Sequence, residues 1–404
     1  MQSLPAPQSL PLLPEFCPNP QCRYHDRTQA AHQRWYTRFG RFHTECRGPI
    51  QRFRCTACGK TCSTQTFSVH YWTHSTTDLV WILHQLYGCG GLRQMGRFLG
   101  VTYRVIQNRI RRLARNALAV MDQALVEVKL IENLAMDGFE SFTRSQYHPN
   151  NITHVVGSDS QFIYGVVHTT LRRSGRMTPW QRIKRALIDT VWKPKRGVKE
   201  DCTALLGDLG PMIDRASRRR TVKLATDKHT AYPRALKAVP ALAAALREGR
   251  LEHIRVSSRA ARTSSNPLFS VNYVDRQLRK NLAEHVRETI RQGREVNCQM
   301  ERMAIFTALH NFLTPHRIGD RADAGDSARH ASVAEVSVNR MRWHLERMTT
   351  HRHLWTHSRT GHEWIRRIWH HEYLNPPVIG LRTGLLHMDT VALPPGAVAF
   401  HLVA

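Results

Sequence analysis

Two cysteine pairs, Cys17-Pro-Asn-Pro-Gln-Cys22 and Cys55-Thr-Ala-Cys58, constrain this chain more than any other feature. A thiolate pair in a tight turn supplies two corners of a tetrahedron, and a second such turn closes it around Zn²⁺ with bonds of about 2.3 Å. The flanking residues suit that geometry. Gln51-Arg-Phe-Arg54 reads as a short strand leading into the second pair, and Gly59 after it can take the left-handed turn of a knuckle. The expectation is a structural zinc ribbon over residues 15–72, ligated by Cys17, Cys22, Cys55 and Cys58. Cys46, Cys62, His25 and His43 are spare ligands, and Cys62 could replace Cys58. Six of the nine cysteines fall between residues 17 and 62. The opening residues, MQSLPAPQSLPLLPEF, lack the basic and continuous apolar regions of a secretory signal, so residues 1–14 read as a disordered Pro-rich leader. Clustered cysteines without an export signal favour metal ligation in a reducing compartment over disulfides.

A chain of 404 residues predicts two or three domains. Lys and Arg number 59 against 31 Asp and Glu, a net charge of +28. With 41% hydrophobic residues the chain can build packed cores, which excludes a wholly disordered basic tail. The balance points to a polyanionic partner, nucleic acid before an acidic membrane surface. Its apolar stretches fall well short of the ~20 residues a spanning helix needs. We therefore expect no membrane role and a cytoplasmic, nucleoid-associated protein.

Residues 73–125 read as a helix-turn-helix. A helix over residues 77–88, capped by Thr76 or Thr77, is followed by Gly88, Gly90 and Gly91. Leu92–Leu99, a Gly100-Val101 turn, and a helix capped by Thr102 and running to about Val120 complete the layout. In that last helix Ile106, Ile110 and Leu113 keep core spacing. Tyr103, Arg104, Gln107, Asn108 and Arg111 would then face outward, where base edges and phosphates are met. The alternative is an ordinary helical hairpin with a solvated basic face.

Beyond residue 130 three carboxylates stand out. Asp137 lies in the apolar run Ile131–Phe142, and Asp227 ends the alternating strand Thr221–Asp227. Ile152–Gly157 and Phe162–Leu171 supply two more strands, joined by Ser158-Asp159-Ser160. Asp137-Gly138 could instead be a hairpin corner, and Asp227 could simply cap the next helix. The third, Asp275, sits in a long helical stretch, Val271–Arg291. Counting about 100° per residue, Leu282, Val286, Val271 and Leu278 all lie within about 60° of Asp275, so the acid is centred on the apolar face. An ionised group there is costly unless paired or bound to metal. Arg279, one turn on, could be its ion-pair partner, and Glu284, about 180° away, would face solvent. Two strand-end carboxylates and one from a helix suit a pair of Mg²⁺ or Mn²⁺ ions about 3.5–4 Å apart, which carry out in-line phosphoryl displacement.

The order of these blocks resembles bacterial insertion-sequence transposases of the DDE/RNase H-like superfamily. The likeness spans about residues 15–320: the cysteine pairs followed by STQTFSVHYW, the helix-turn-helix, MDGF, ATDKHTAY, NPLFSVNYVDRQLRK and MERMAIFTALHNFLTPHR. It implies a multi-domain α/β protein whose catalytic domain, residues 131–319, is an RNase H-like mixed sheet flanked by helices. It places Asp137 on the first strand, Asp227 on the fourth and Asp275 on a following helix. Many members carry Glu at the third position, which keeps Glu284, and less so Glu301, as alternatives. The implied partners are double-stranded DNA (element ends and target) and further copies of the chain, at least a dimer on DNA.

A basic insertion, about residues 172–220, contains Trp192–Lys199 and Arg215–Arg220. Arg218, Arg219 and Arg220 run straight into the Asp227 strand and, with Arg255, Arg259 and Arg262, are candidates for phosphate contact; a solvated face is the alternative. In residues 320–404, Asp320–Ser332 reads as a linker, Val336–Met348 as a helix, and the later histidines as surface imidazoles. Two other functions fit the same sequence: a DNA-binding regulator without chemistry, and a metal-dependent nuclease that cuts without joining.

Overall fold

The computed structural model describes residues 13–31, 34–257, 259–286, 289–316, 328–353, 359–382 and 385–389. The expected leader, residues 320–327 of the expected linker, and the C-terminal end lie almost wholly outside that set. Down the chain, α1 (Arg27–Ala31) precedes β1 (Tyr36–Thr44), β2 (Gly48–Cys55) and β3 (Thr61–Ser63). Next come α2 (Leu79–Tyr87), α3 (Leu92–Phe98) and α4 (Tyr103–Glu127). A mixed region follows: β4 (Leu134–Phe142), β5 (Pro149–Gly157), β6 (Ile163–Thr170), α5 (Pro179–Val191), α6 (Val198–Ser217) and β7 (Val222–Asp227). It continues through α7 (Ala231–Ala238), α8 (Pro240–Arg247), β8 (Leu251–Val256), α9 (Phe269–Asn281) and α10 (Val296–Phe312). The last elements are α11 (His330–Val333), α12 (Val338–Arg347), α13 (Glu363–Trp369), β9 (Val378–Arg382) and β10 (Leu385–Asp389). Among the described residues, no helix is long and apolar enough to cross a membrane.

The chain divides into two compact units, residues 1–128 with 301–365 and residues 129–300 with 366–404. Residues 301–316, read from sequence with the catalytic domain, cluster with the first unit. The helix at His330–Val333 also replaces the end of the expected linker.

In the first unit, β1, β2 and β3 form an antiparallel sheet, with Phe16, Tyr24, Trp35, Phe53 and Phe67 packed beside the cysteines. A second core joins Ile82, Leu83 and Leu86 of α2, Met95 of α3, and Ile106, Ile110 and Leu113 of α4. Ile305, Ala308 and Leu309 of α10 and Met348 complete it. Two glycines make the tight corners possible. A Cβ on Gly90 would stand 2.6 Å from the Gln85 carbonyl oxygen, and one on Gly96 2.6 Å from that of Val101. Asp78, not Thr76 or Thr77, caps α2, accepting from the Trp81 N–H. An acid one residue closer to the apolar run wins because its carboxylate also favours the positive end of the helix. α4 runs to Glu127, past the expected Val120, because Ala124 and Leu125 extend its buried stripe.

The second unit is built on a five-stranded sheet in the order β6-β5-β4-β7-β8. β4, β5 and β6 are antiparallel neighbours, whereas β7 runs parallel to β4, and β8 parallel to β7. Strands such as Ile163-Tyr-Gly-Val-Val, buried at every position, suit a sheet covered on both faces. The later part of the segment read as a basic insertion is a core helix, α6. Cys202, Leu205, Leu206, Leu209 and Ile213 of α6 lie on one buried stripe, and the helix packs against β6 and β7. Each such Leu or Ile contributes about 1.5–3 kcal/mol of burial. Glu132, a buried acid before β4, is structural: it accepts from Asp159 N (2.9 Å), Ser160 N (2.8 Å), Ser160 Oγ and Tyr164 Oη, fixing the β5–β6 turn.

Candidate functional site

Cys17, Cys22, Cys55 and Cys58 come together with all four Sγ atoms within 4.8 Å of one another, and they could hold one zinc ion. Sγ of Cys17 is 3.6 Å from Cys58, and that of Cys22 is 3.7 Å from Cys55. A tetrahedron with bonds of about 2.3 Å has edges of about 3.8 Å, so these are ligand spacings, and far too long for disulfides. Gly59 takes φ +70°, the left-handed turn expected at the second knuckle. His25 places Nδ1 2.8 Å from the Cys17 carbonyl oxygen, a supporting contact rather than a ligand. Cys62 stands outside the cluster on β3, and burial pushes its thiol up to about 12. Cys58 therefore keeps the corner that Cys62 might have taken. Burial also pushes the Cys17 thiol well above its ordinary range, so ion binding must expel protons.

On α4, Tyr103, Arg104 and Asn108 are exposed, with Asn108 Oδ1 accepting from Arg109 at 3.2 Å and Arg112 at 3.0 Å. Gln107 and Arg111 are not free. Gln107 Nε2 donates to Glu301 Oε2 at 2.7 Å, and Arg111 Nε donates to Glu301 Oε1 at 2.9 Å. The buried Glu301 carboxylate needs both donors, so these two side chains turn inward to α10. The same contacts remove Glu301 from the carboxylates open to a metal. A hydrophobic patch flanks α3, where exposed Phe98 stacks on Trp81 with ring centroids 5.7 Å apart.

In the second unit the structure brings the three aspartates to one face of the sheet. The parallel register of β4 and β7 pairs Met136 with Thr226, so Asp137 and Asp227 follow side by side. Adjacent strands are about 4.8 Å apart, and residues in step share a face. Asp137 lies inside β4, which excludes the hairpin corner. Asp227 does not cap α7, whose N-cap position is Thr230; its Oδ1 accepts from the His229 N–H at 2.7 Å and shapes the intervening turn. α9 packs against β4 and β5 and carries Asp275. Burial first, opposed by the Gly138 N–H and reinforced by the charges of Asp275 and Asp227, lifts the Asp137 carboxyl to about 6. Among the described residues these carboxylate oxygens do not converge as tightly as the four sulfurs do.

The helix bearing Asp275 is shorter than the sequence suggests. α9 ends at Asn281, and Ala283–His285 is a separate 3₁₀ turn. Helical counting therefore fails beyond residue 281. Glu284 is buried at 7% exposure instead of facing solvent, while Val286 is 39% exposed. Nor does Arg279 pair with Asp275: its guanidinium lies 4.9 Å over the Phe139 ring. The neighbour of Asp275 is His154, whose Nε2 is 3.2 Å from Asp275 Oδ1. Burial alone would lower the His154 pKa, but Asp275 outweighs it and holds the imidazole above its ordinary value. Sequence reasoning missed His154. The signal was a histidine inside a buried strand directly opposite Asp137, visible only once the β4–β5 register is known.

The basic candidates divide. Arg219 and Arg262 are exposed, as is Arg259. Arg218 pairs with Asp214 at 3.0 Å yet stays 68% exposed. Arg220 is a staple, donating to Asn133 Oδ1 at 3.1 Å and to the Glu132 carbonyl, and Arg255 donates to the Lys228 carbonyl at 2.8 Å. The later histidines are less superficial than expected: burial lowers His351, His353 and His362 to about 4, so they pack as neutral rings. They form no metal cluster among the described residues. The chain matches no known protein family and no curated protein.

Proposed function

We propose that this chain is a DNA transposase that acts at the ends of an insertion element. The observation that carries the reading is the register of two parallel strands, which sets Asp137 beside Asp227 under a helix bearing Asp275. In chain order these are the first strand, the fourth strand and a following helix of one five-stranded sheet, where an RNase H-like catalytic domain is expected to carry them. The donor set fits Mg²⁺ or Mn²⁺: hard carboxylate oxygens, with Asp137 lifted to about 6 by burial and, less so, by the charges of Asp275 and Asp227. Asp137, Asp227 and Asp275 would hold the ions, which when bound would activate the attacking oxygen and stabilise the leaving one. Tyr232 Oη, 3.5 Å from Asp137 Oδ1, orients that carboxylate from the α7 side. Exposed Tyr103, Arg104 and Asn108 on α4 would contact the element end, and Arg219, Arg259 and Arg262 the phosphates. Holding two ends at once calls for a dimer or larger assembly.

Replacing Asp137, Asp227 or Asp275 by Ala should abolish divalent-metal-dependent cutting and joining of an end-bearing duplex while leaving binding intact. Undiminished cutting by all three variants would remove the catalytic reading. Fragments without a joined product would leave a nuclease. A second reading, a DNA-binding regulator without chemistry, draws on one observation: the four cysteines are the only described group standing as a ready-made ion site. It expects DNA binding with no metal-dependent nicking.

A further inference from the structure

His154 belongs to none of the roles assigned above, yet it stands next to Asp137 and Asp275. It lies directly opposite Asp137 across the β4–β5 ladder, so both side chains leave the sheet on one face. Its side chain is completely buried, a costly place for an imidazole unless both ring nitrogens are used. Nδ1 lies 3.2 Å from the Ile152 carbonyl oxygen, which can only accept, so Nδ1 keeps its proton and Nε2 is the nitrogen that gains or loses one. Nε2 in turn lies 3.2 Å from Asp275 Oδ1, but without hydrogen-bond geometry, and neither atom finds a hydrogen-bond partner among the described residues. With a proton on Nε2 the two form an ion pair, and a divalent ion that displaces that proton would meet both atoms at once. Ligands on adjacent corners of an octahedron with bonds of about 2.2 Å are about 3.1 Å apart. An Nδ1 contact to a backbone carbonyl is also the usual outer support of a metal-bound imidazole.

We propose that His154 Nε2 is a nitrogen ligand to a divalent ion shared with Asp275, on the face that Asp137 also lines. The inference rests on the carboxylate reading above and adds a donor that changes which ion the site takes. Mg²⁺ is held by oxygen, whereas an imidazole nitrogen favours a first-row transition ion. The site should therefore take Mn²⁺ in preference to Mg²⁺.

The test uses the full-length, zinc-loaded protein with Mn²⁺ alone as probe. Pulsed electron paramagnetic resonance of the bound Mn²⁺ should show ¹⁴N modulation, replaced by a ¹⁵N pattern in uniformly ¹⁵N-labelled protein, a comparison that needs no variant. H154Q should lose the nitrogen modulation and bind Mn²⁺ about tenfold or more weakly, the scale of one lost ligand-shell interaction, while Mg²⁺ affinity changes less. Bound Mn²⁺ without nitrogen coupling in the wild type, or coupling that survives in H154Q, overturns the role of His154 and leaves the carboxylate reading standing. No Mn²⁺ bound by the wild type, or D137N and D275N binding it as tightly as the wild type, overturns both.

Discussion

Replacing Asp137 by Asn should stabilise the second unit at neutral pH while removing the metal-dependent cutting proposed for it. The Asp137 carboxyl ionises near 6 in the folded chain against an ordinary 3.8, chiefly through burial. A raised acid pKa means that the folded state holds the proton more tightly between these values. Its stabilising contribution is complete below about 3.8 and is lost as pH climbs through 6. At 1.36 kcal/mol per pH unit of displacement, the wild type gives up about 3 kcal/mol between pH 4 and pH 7.5. Asparagine keeps the size and the Gly138 contact but never ionises, so the variant escapes the loss. The stability gap between D137N and wild type should open from near zero at pH 4 to about 3 kcal/mol at pH 7.5. Hydrogen–deuterium exchange of β4 and β5 peptides against urea concentration, in zinc-loaded and Mg²⁺-free buffer, reads this unit directly. Adding Mg²⁺ should narrow the gap, since a ligand at about 100 times its Kd stabilises the native state by about 2.7 kcal/mol and only the wild type has the full site. A gap that is flat across pH would refute the claim that burial lifts this carboxyl.

Four further outcomes follow from the geometry. Chelation, or Cys58→Ser, should release about one Zn²⁺ per chain and unfold the region around β1–β3, seen as lost exchange protection there and proton uptake on metal loss. Arg104→Ala should weaken DNA binding and reduce the slope of log affinity against log salt by about 1. Arg111→Ala should leave that slope unchanged and instead cost about 1–3 kcal/mol in unfolding measurements, because Glu301 loses a donor. Gly96→Ala should cost about 1–3 kcal/mol by forcing a Cβ towards the Val101 carbonyl oxygen, lowering thermal stability without a change in charge.

How far the sequence reveals this protein depends on the range of the interactions concerned. The cysteine knuckles and the helix series α2–α4 are local: their spacing, glycines and apolar periodicity act within a few residues, and the structure forms them where the pattern lies. The strands bearing Asp137 and Asp227 were visible as runs, but their register was not, because pairing across a parallel ladder depends on the whole sheet. Helical counting from Asp275 failed where the chain leaves the helix at Leu282, which is extended with φ −116° and ψ 119°. No proline or glycine marks that exit; packing sets it, as Leu282, Ala283 and Glu284 are all buried beyond the helix end. Gln107 and Arg111 read as outward because an amphipathic pattern knows only one core face. It cannot see that a buried acid nearly two hundred residues away recruits both side chains.

The arrangement of cations around the three aspartates bears on what the site is for. A protein that needed these acids only for folding would be expected to neutralise them with the nearest arginines, since an unpaired buried carboxylate is costly. Here those arginines are turned to other tasks. Arg279 lies over Phe139, Arg276 lies within about 6 Å of the rings of Phe269 and Tyr273, and Arg255 donates to a backbone carbonyl. An arginine in the hollow would lower the Asp137 pKa and fill the space an incoming ion needs. Among the described residues no arginine or lysine pairs with these aspartates, and burial lifts Asp137 to about 6, a standing cost of folding. That cost is intelligible if a diffusible cation normally meets it, and such trade-offs between stability and activity are characteristic of catalytic centres. A regulator that had lost its chemistry would gain stability from a single substitution, Asp137→Asn, and this chain retains the acid.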